Sequence, residues 1–85
     1  MLAITPRAWR VIDDLASEHH AAGIRVTRTD SGSLAIDVAA GPETDDTVVW
    51  SLGTVVYVDR HAAPAVDHAV LDLRTTPDSR SFFLR

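Results

Sequence analysis

The hydrophobic period of this chain changes once, at Gly23, and that switch limits what the chain can fold into. Before it, Ala8, Val11, Ile12, Leu15 and Ala16 recur at i, i+3, i+4, i+7 and i+8, which is one face of an α-helix. Asp13, Asp14 and Glu18 fall on the other faces. Thr5 can cap the free backbone N–H groups of such a helix, and Pro6 is tolerated at its first position, where the missing donor costs nothing. The pattern predicts a helix opening at Thr5-Pro6. Gly23 is its expected stop, because glycine adopts the left-handed conformation that ends helices.

After Gly23 the period is two. Ile24 and Val26 alternate with Arg25 and Thr27, and after the turn cluster Asp30-Ser31-Gly32-Ser33 the residues Leu34, Ile36 and Val38 alternate with Ala35, Asp37 and Ala39. Two such runs about a short glycine-containing loop predict a β-hairpin. Gly41 to Asp46 reads as a solvated loop, and Thr47 to Ser51 as a strand with Val48 and Trp50 on one face. Thr54 to Asp59 is apolar on both faces and is expected to be a central strand. Arg60 to His68 reads as a connector with a short helical turn around Ala62 to Val66. Val70 to Thr75 and Ser81 to Leu84 complete the strands, with Leu71 and Leu73 on one side of the former and Asp72 and Arg74 on the other. A helix followed by about six short strands predicts a small sandwich or distorted barrel with a helix packed on it.

Residues 1–85 are expected to form one domain with a modest core, since a chain of this size buries only about 60–65% of its unfolded surface. There are no cysteines, so no disulfide supports that core and no thiolate is available for chemistry. The net charge of −4 argues against a nucleic-acid partner and against anionic membrane surfaces. All 8 basic residues are arginine, which reads as a bias in base composition and excludes lysine chemistry. No stretch approaches the roughly 20 apolar residues of a membrane-spanning helix. The start, Met1 to Arg7, lacks the basic and apolar regions of a signal peptide, so a cytoplasmic location is expected.

The order of these elements carries a resemblance. Ile4-Thr5-Pro6-Arg7-Ala8, then Gly23-Ile24-Arg25-Val26, then Val55-Val56-Tyr57-Val58-Asp59, then Val70-Leu71-Asp72-Leu73 and Phe82-Phe83-Leu84 resemble the HesB/IscA family, the A-type iron–sulfur cluster carriers. The resemblance spans nearly the whole chain. It implies a mainly β (α+β) fold, a HesB-like sandwich or distorted barrel of about six to seven short strands with one N-terminal helix. It also implies three cysteine ligands, one in the loop between the two strands after the helix and two in a cysteine-glycine-cysteine tail. Here that loop reads Asp30-Ser31-Gly32-Ser33-Leu34, with Ser33 about where the cysteine would stand, and the sequence closes on Phe82-Phe83-Leu84-Arg85 without that tail. A thiolate binds cluster iron as a soft anionic ligand, whereas a serine hydroxyl is hard and has a far higher pKa. What carries over is therefore the fold and not the carrier activity, and no cofactor is expected.

Other candidate sites are set against simpler readings. His19-His20 closes the helix, but adjacent helical residues point about 100° apart and do not chelate; histidine there suits the helix dipole. His61, Asp67 and His68 are the candidate metal ligands, set against solvated loop histidines, and Pro64 interrupts any continuous helix between them. Glu43, Asp45 and Asp46 lack the spacing of a calcium loop and read as a solvated acidic turn. Ser31 and Ser33 lie near Asp30 without a neighbouring histidine or a nucleophile elbow, so no catalytic site is expected. Trp9 either meets a partner or covers the edge of the core. These readings combine into a cofactor-free, non-enzymatic interaction or structural domain, with a protein partner or self-association; the alternative is an iron or zinc protein using histidine and carboxylate ligands.

Overall fold

A computed structural model of the chain describes residues 1–31, 34–51 and 54–85. The elements run β1 (Ala3–Ile4), α1 (Pro6–Glu18), β2 (Gly23–Arg28), β3 (Leu34–Ala39), β4 (Thr47–Ser51), β5 (Thr54–Val58), α2 (Ala63–Val66), β6 (Val70–Thr75) and β7 (Arg80–Leu84). They build two mixed sheets. One is four-stranded in the order β3-β2-β5-β4, and the other three-stranded in the order β1-β6-β7. The sheets do not close into a barrel, so of the two expected forms the sandwich is the one adopted. β5 is central, as its two apolar faces predicted: it pairs parallel with β2 and antiparallel with β4. No helix among the described residues is long and apolar enough to cross a membrane.

The helix begins where its sequence predicts. Thr5 is the N-cap, its hydroxyl oxygen accepting from the Ala8 N–H at 3.3 Å, and Pro6 occupies the first turn. Ala8, Val11, Ile12 and Ala16 are buried along one stripe. Asp13 on a polar face accepts from the Thr54 hydroxyl, which ties the helix to the start of β5. Ile12, Ile24, Val26, Val56, Val58, Val66 and Leu71 form the core between helix and sheets, and Trp9 packs against its margin. Trp9 is thus an edge cover.

The end of the helix is not where glycine suggested. The helix stops at Glu18, and His20 takes the left-handed conformation with φ 52°. The Ala21 N–H donates to the Ala16 carbonyl at 2.8 Å and the His20 N–H to that of Ser17 at 3.3 Å, the paired closure of a Schellman motif. Glycine tolerates this backbone conformation, whereas a side chain there costs about 1 kcal/mol. His20→Gly is therefore expected to stabilise the protein by about 1 kcal/mol, raising Tm by roughly 4–8 °C. Thermal unfolding followed by circular dichroism checks this, and a lowered Tm would mean that the imidazole makes a contact worth more than the strain.

Gly23 instead opens β2, and its need is for space. A Cβ there would lie 1.9 Å from the Val55 carbonyl oxygen. Gly23 faces Val55 across the parallel pair, and the lack of a side chain allows the two backbones to meet.

Candidate functional site

Four regions of the fold gather the polar, apolar or exposed groups from which a site can be built. The first lies between the two sheets, where β3 and β7 approach without pairing. An apolar cleft of about 350 Å³ opens there, lined by Leu2, Val26, Leu34, Ile36, Val66, Leu71, Phe82, Phe83 and Leu84. Leu34 directly follows the loop that the resemblance assigned to the first cluster ligand, and Phe82 to Leu84 lie in the last strand. One surface therefore joins the end of that loop to the last strand. Among the described residues, every side chain that lines it is hydrocarbon, with no thiol, imidazole or carboxylate. Gly32 and Ser33 themselves lie outside the described residues; Asp30 and Ser31 are exposed beside them, and the Ser31 and Thr29 hydroxyls stand 3.0 Å apart.

The second region is the connector with α2. His61 is exposed; its backbone N–H donates to Asp59 at 3.0 Å, and Arg60 Nε donates to its ring Nε2 at 3.3 Å. His68 is 88% exposed, with Nε2 3.5 Å from Asp67. Asp67 accepts from the N-terminal ammonium, and that bond, then the charges of His68 and the terminus, hold its carboxyl below the usual range. Among the described residues no three histidine, aspartate or glutamate side chains are grouped to hold a metal ion. His19 and His20 are both exposed.

Sequence reasoning missed the third region, a pair of arginine–carboxylate networks. The strand β3 lies at one edge of its sheet and β4 at the other, so the chain between them must cross β2 and β5. It crosses the outer face, the one that carries Arg25 and Tyr57 as cross-strand neighbours. Arg25 holds it there. Its Nη1 and Nη2 donate to both oxygens of Asp46, the latter at 2.8 Å, Nη2 reaches Asp59 at 3.1 Å, and Nε lies 2.9 Å from Glu43. The Asp46 carboxylate is only 1% exposed and also accepts from the Glu43 N–H at 2.7 Å. Its bonds to the Arg25 guanidinium outweigh burial and hold its carboxyl below the usual range. The supposed solvated acidic turn is thus a neutralised strap, with Asp45 facing Arg60 at 3.6 Å. Arg25 has a structural task that base-composition bias does not describe.

The second network centres on Asp72, which is 1% exposed. One of its oxygens accepts from the Thr5 hydroxyl at 2.8 Å, Arg7 Nε at 2.6 Å and the Leu73 N–H at 2.7 Å. The other accepts from Arg7 Nη2 at 2.8 Å and Arg85 Nε at 3.2 Å. The bonds from Arg7, above all, hold the carboxyl far below the usual carboxylate range against the opposing effect of burial. The two central carboxylates, Asp46 and Asp72, have both oxygens bonded by arginine, so the networks fasten distant segments of the fold to one another. The signals for them were the Thr-Pro-Arg run that opens the helix and the lone aspartate within Val70-Leu71-Asp72-Leu73.

The fourth region is the edge strand β4. Trp50 is 77% exposed and Val48 is 42% exposed. They stand on the outer face, as the alternation of that strand predicted, across from Val55 and Tyr57. Tyr57 is buried.

No protein-family model matches this sequence, and no curated protein matches it either. Solved structures do. The chain superposes on the crystal structure of IscA with the [2Fe-2S] cluster with a TM-score of 0.79, at 20% identity over 100% of this chain and 84% of that one. Escherichia coli SufA, involved in biosynthesis of iron–sulfur clusters, gives a TM-score of 0.89 at 22% identity, over 99% of this chain and 83% of SufA. A protein from Aquifex aeolicus, solved by NMR, gives 0.77 at 23% identity, over 99% and 89% of the two chains. The residues present do not fit a cluster of the IscA kind, because 85 residues supply no thiolate and, among the described residues, the cleft beside Leu34 is lined by no polar side chain. The chain has the HesB/IscA-like fold, kept in a sequence without a cysteine.

Proposed function

We propose that these 85 residues form a cofactor-free relative of the A-type iron–sulfur carriers, serving as a non-enzymatic interaction or structural domain in the cytoplasm. The observation that carries this reading is the lining of the cleft between β3 and β7. The fold brings the loop end and the last strand to one surface, and what it offers there is leucine, isoleucine and phenylalanine. Such a surface suits apolar contact and gives iron nothing to bind. The two arginine–carboxylate networks support the same reading, since their charged groups are spent on holding the strap and the chain ends in place.

Anaerobic reconstitution with ferrous iron and sulfide, followed by desalting, is the test. The protein is expected to stay colourless and to retain only traces of iron. A cluster-type absorbance band with stoichiometric iron and sulfide would overturn the reading. Near-stoichiometric iron or zinc without sulfide, lost in the double variant His61→Ala and His68→Ala, would replace it with a histidine–carboxylate metal site.

A further inference from the structure

We infer that the free edge of β4 pairs with the same edge of a second copy of this chain, joining two four-stranded sheets into one. The inference names a partner for the proposed interaction domain and to that extent rests on that reading.

The argument starts from how the sheet edges are guarded. An unpaired strand offers a row of backbone donors and acceptors to any other chain, and proteins blunt such edges by charge, proline or shortness. β3 carries the exposed Asp37, β7 carries Arg80, and β1 is only 2 residues long. β4 reads Thr-Val-Val-Trp-Ser, with no charge and no proline, and among the described residues it pairs only through its β5 side. It also shows the most exposed tryptophan side chain in a place where solvent is a poor neighbour for an indole.

The strand is complementary to itself. Antiparallel pairing about a two-fold axis at Val49 sets Val48 of each copy opposite Trp50 of the other, on the outer face, and Thr47 opposite Ser51. Each indole then covers a valine that is otherwise 42% exposed, and the two aromatic–aliphatic pairs are of the kind that stabilises cross-strand contacts. No like charges are brought together, because the strand is neutral and the adjoining Asp46 is already bound by Arg25. The contact is isologous and closes at two copies, as a two-fold interface does. It is also small. Each indole buries about 150–250 Å², so two rings, two valines and the strand backbones stay below the roughly 1,600 Å² of a standard interface. The dimer is accordingly expected to be weak and transient, with Kd on the order of tens to hundreds of micromolar.

Sedimentation equilibrium over about 1–500 µM brackets that range. The wild-type chain is expected to pass reversibly from monomer to dimer. The double variant Val48→Lys with Trp50→Lys and the double variant Val48→Glu with Trp50→Glu are each expected to stay monomeric, with thermal stability near that of the wild type because both positions face solvent. Mixing the two is expected to restore a one-to-one dimer, since the register sets lysine opposite glutamate. A wild type that stays monomeric throughout, charged variants that dimerise as it does, or a mixture that stays monomeric would overturn the inference. Trp9→Phe leaves Trp50 as the reporter and does not depend on the charged variants folding. Its emission is expected to shift to the blue as concentration rises, and an emission maximum independent of concentration across a dimerising range would place the contact elsewhere. Mass and emission are read without iron, so failure here is separate from the appearance of a cluster band on reconstitution.

Discussion

Gly23→Ala is expected to cost about 3 kcal/mol or more, although it adds a single methyl group. That methyl would sit 1.9 Å from the Val55 carbonyl oxygen and 2.8 Å from both its carbonyl carbon and its Cγ2. Two of these are backbone atoms of the adjoining strand, so no rotamer change relieves the contact. Relief requires moving β2 away from β5, and those two strands are the middle of the four-stranded sheet. Overpacking where side chains can yield costs about 1–3 kcal/mol, and the rigid neighbour puts Gly23→Ala at or above the top of that range. A domain has about 5–15 kcal/mol of stability in all, so the loss is a large share of it. Urea unfolding measures the difference. Gly41→Ala is the control, because an added Cβ meets nothing within 4 Å, and it is expected to be neutral or to stabilise by up to about 1 kcal/mol. Equal urea midpoints for Gly23→Ala and the wild type would contradict the close approach of β2 and β5.

Asp72→Asn is expected to lower Tm at neutral pH by more than about 10 °C and to flatten the acid side of the stability profile. The carboxylate accepts hydrogen bonds from Thr5, Arg7, Leu73 and Arg85, while an asparagine amide would turn N–H groups toward guanidinium N–H groups. The pH dependence follows from the direction of the shift. The folded carboxyl titrates below its unfolded value, chiefly because of the bonds from Arg7, and burial only partly opposes this. A group depressed in this way contributes stability that is complete above the unfolded value near pH 3.9, and that is lost as pH falls toward the folded value. Asp46, held down by Arg25, contributes with the same sign. The wild type is therefore expected to keep a level stability from about pH 7 to pH 5 and to weaken progressively below about pH 4. Asp72→Asn has no proton to take up, so its loss between about pH 4 and pH 2 is shallower. Urea midpoints at several pH values compare the slopes. Parallel slopes for variant and wild type would show that Asp72 is not the group being protonated.

What the sequence made legible was whatever depends on local pattern. The stripe Ala8, Val11, Ile12 and Ala16, the cap at Thr5, the hairpin of β2 and β3 and the central place of β5 all follow from period and chain neighbours, and all are found. Three things were hidden for physical reasons. Gly23 looked like a helix stop because glycine is usually chosen for its conformational freedom, whereas here it is needed for the absence of a Cβ beside Val55. Asp72 was placed by alternation on the side opposite Leu71 and Leu73, and nothing local reports that Thr5, Arg7 and Arg85 converge on it from elsewhere in the chain. Arg25 looked like one of many arginines for the same reason, since its partners Glu43, Asp46 and Asp59 are brought to it by a crossing that only the sheet order reveals. The strand β1 is too short to carry a period. At the candidate site the absence of thiolates was plain from composition, but the apolar cleft required knowing that β3 and β7 face one another.

The meeting of distant segments at Asp72 bears on the order in which the molecule assembles. All four strands of the larger sheet come from Gly23 to Val58, so that sheet closes through modest loops. The smaller sheet sets Ala3 beside Val70, which must be brought together from near opposite ends of the chain. Closing a loop of that length costs on the order of 4 kcal/mol of chain entropy if nothing has formed between. It costs less once the larger sheet and helix have shortened the path. On this ground the pairing of β1 with β6, and with it the clasp of Arg7 and Arg85 on one carboxylate, is expected to form at the end of folding, as a latch on a structure already built.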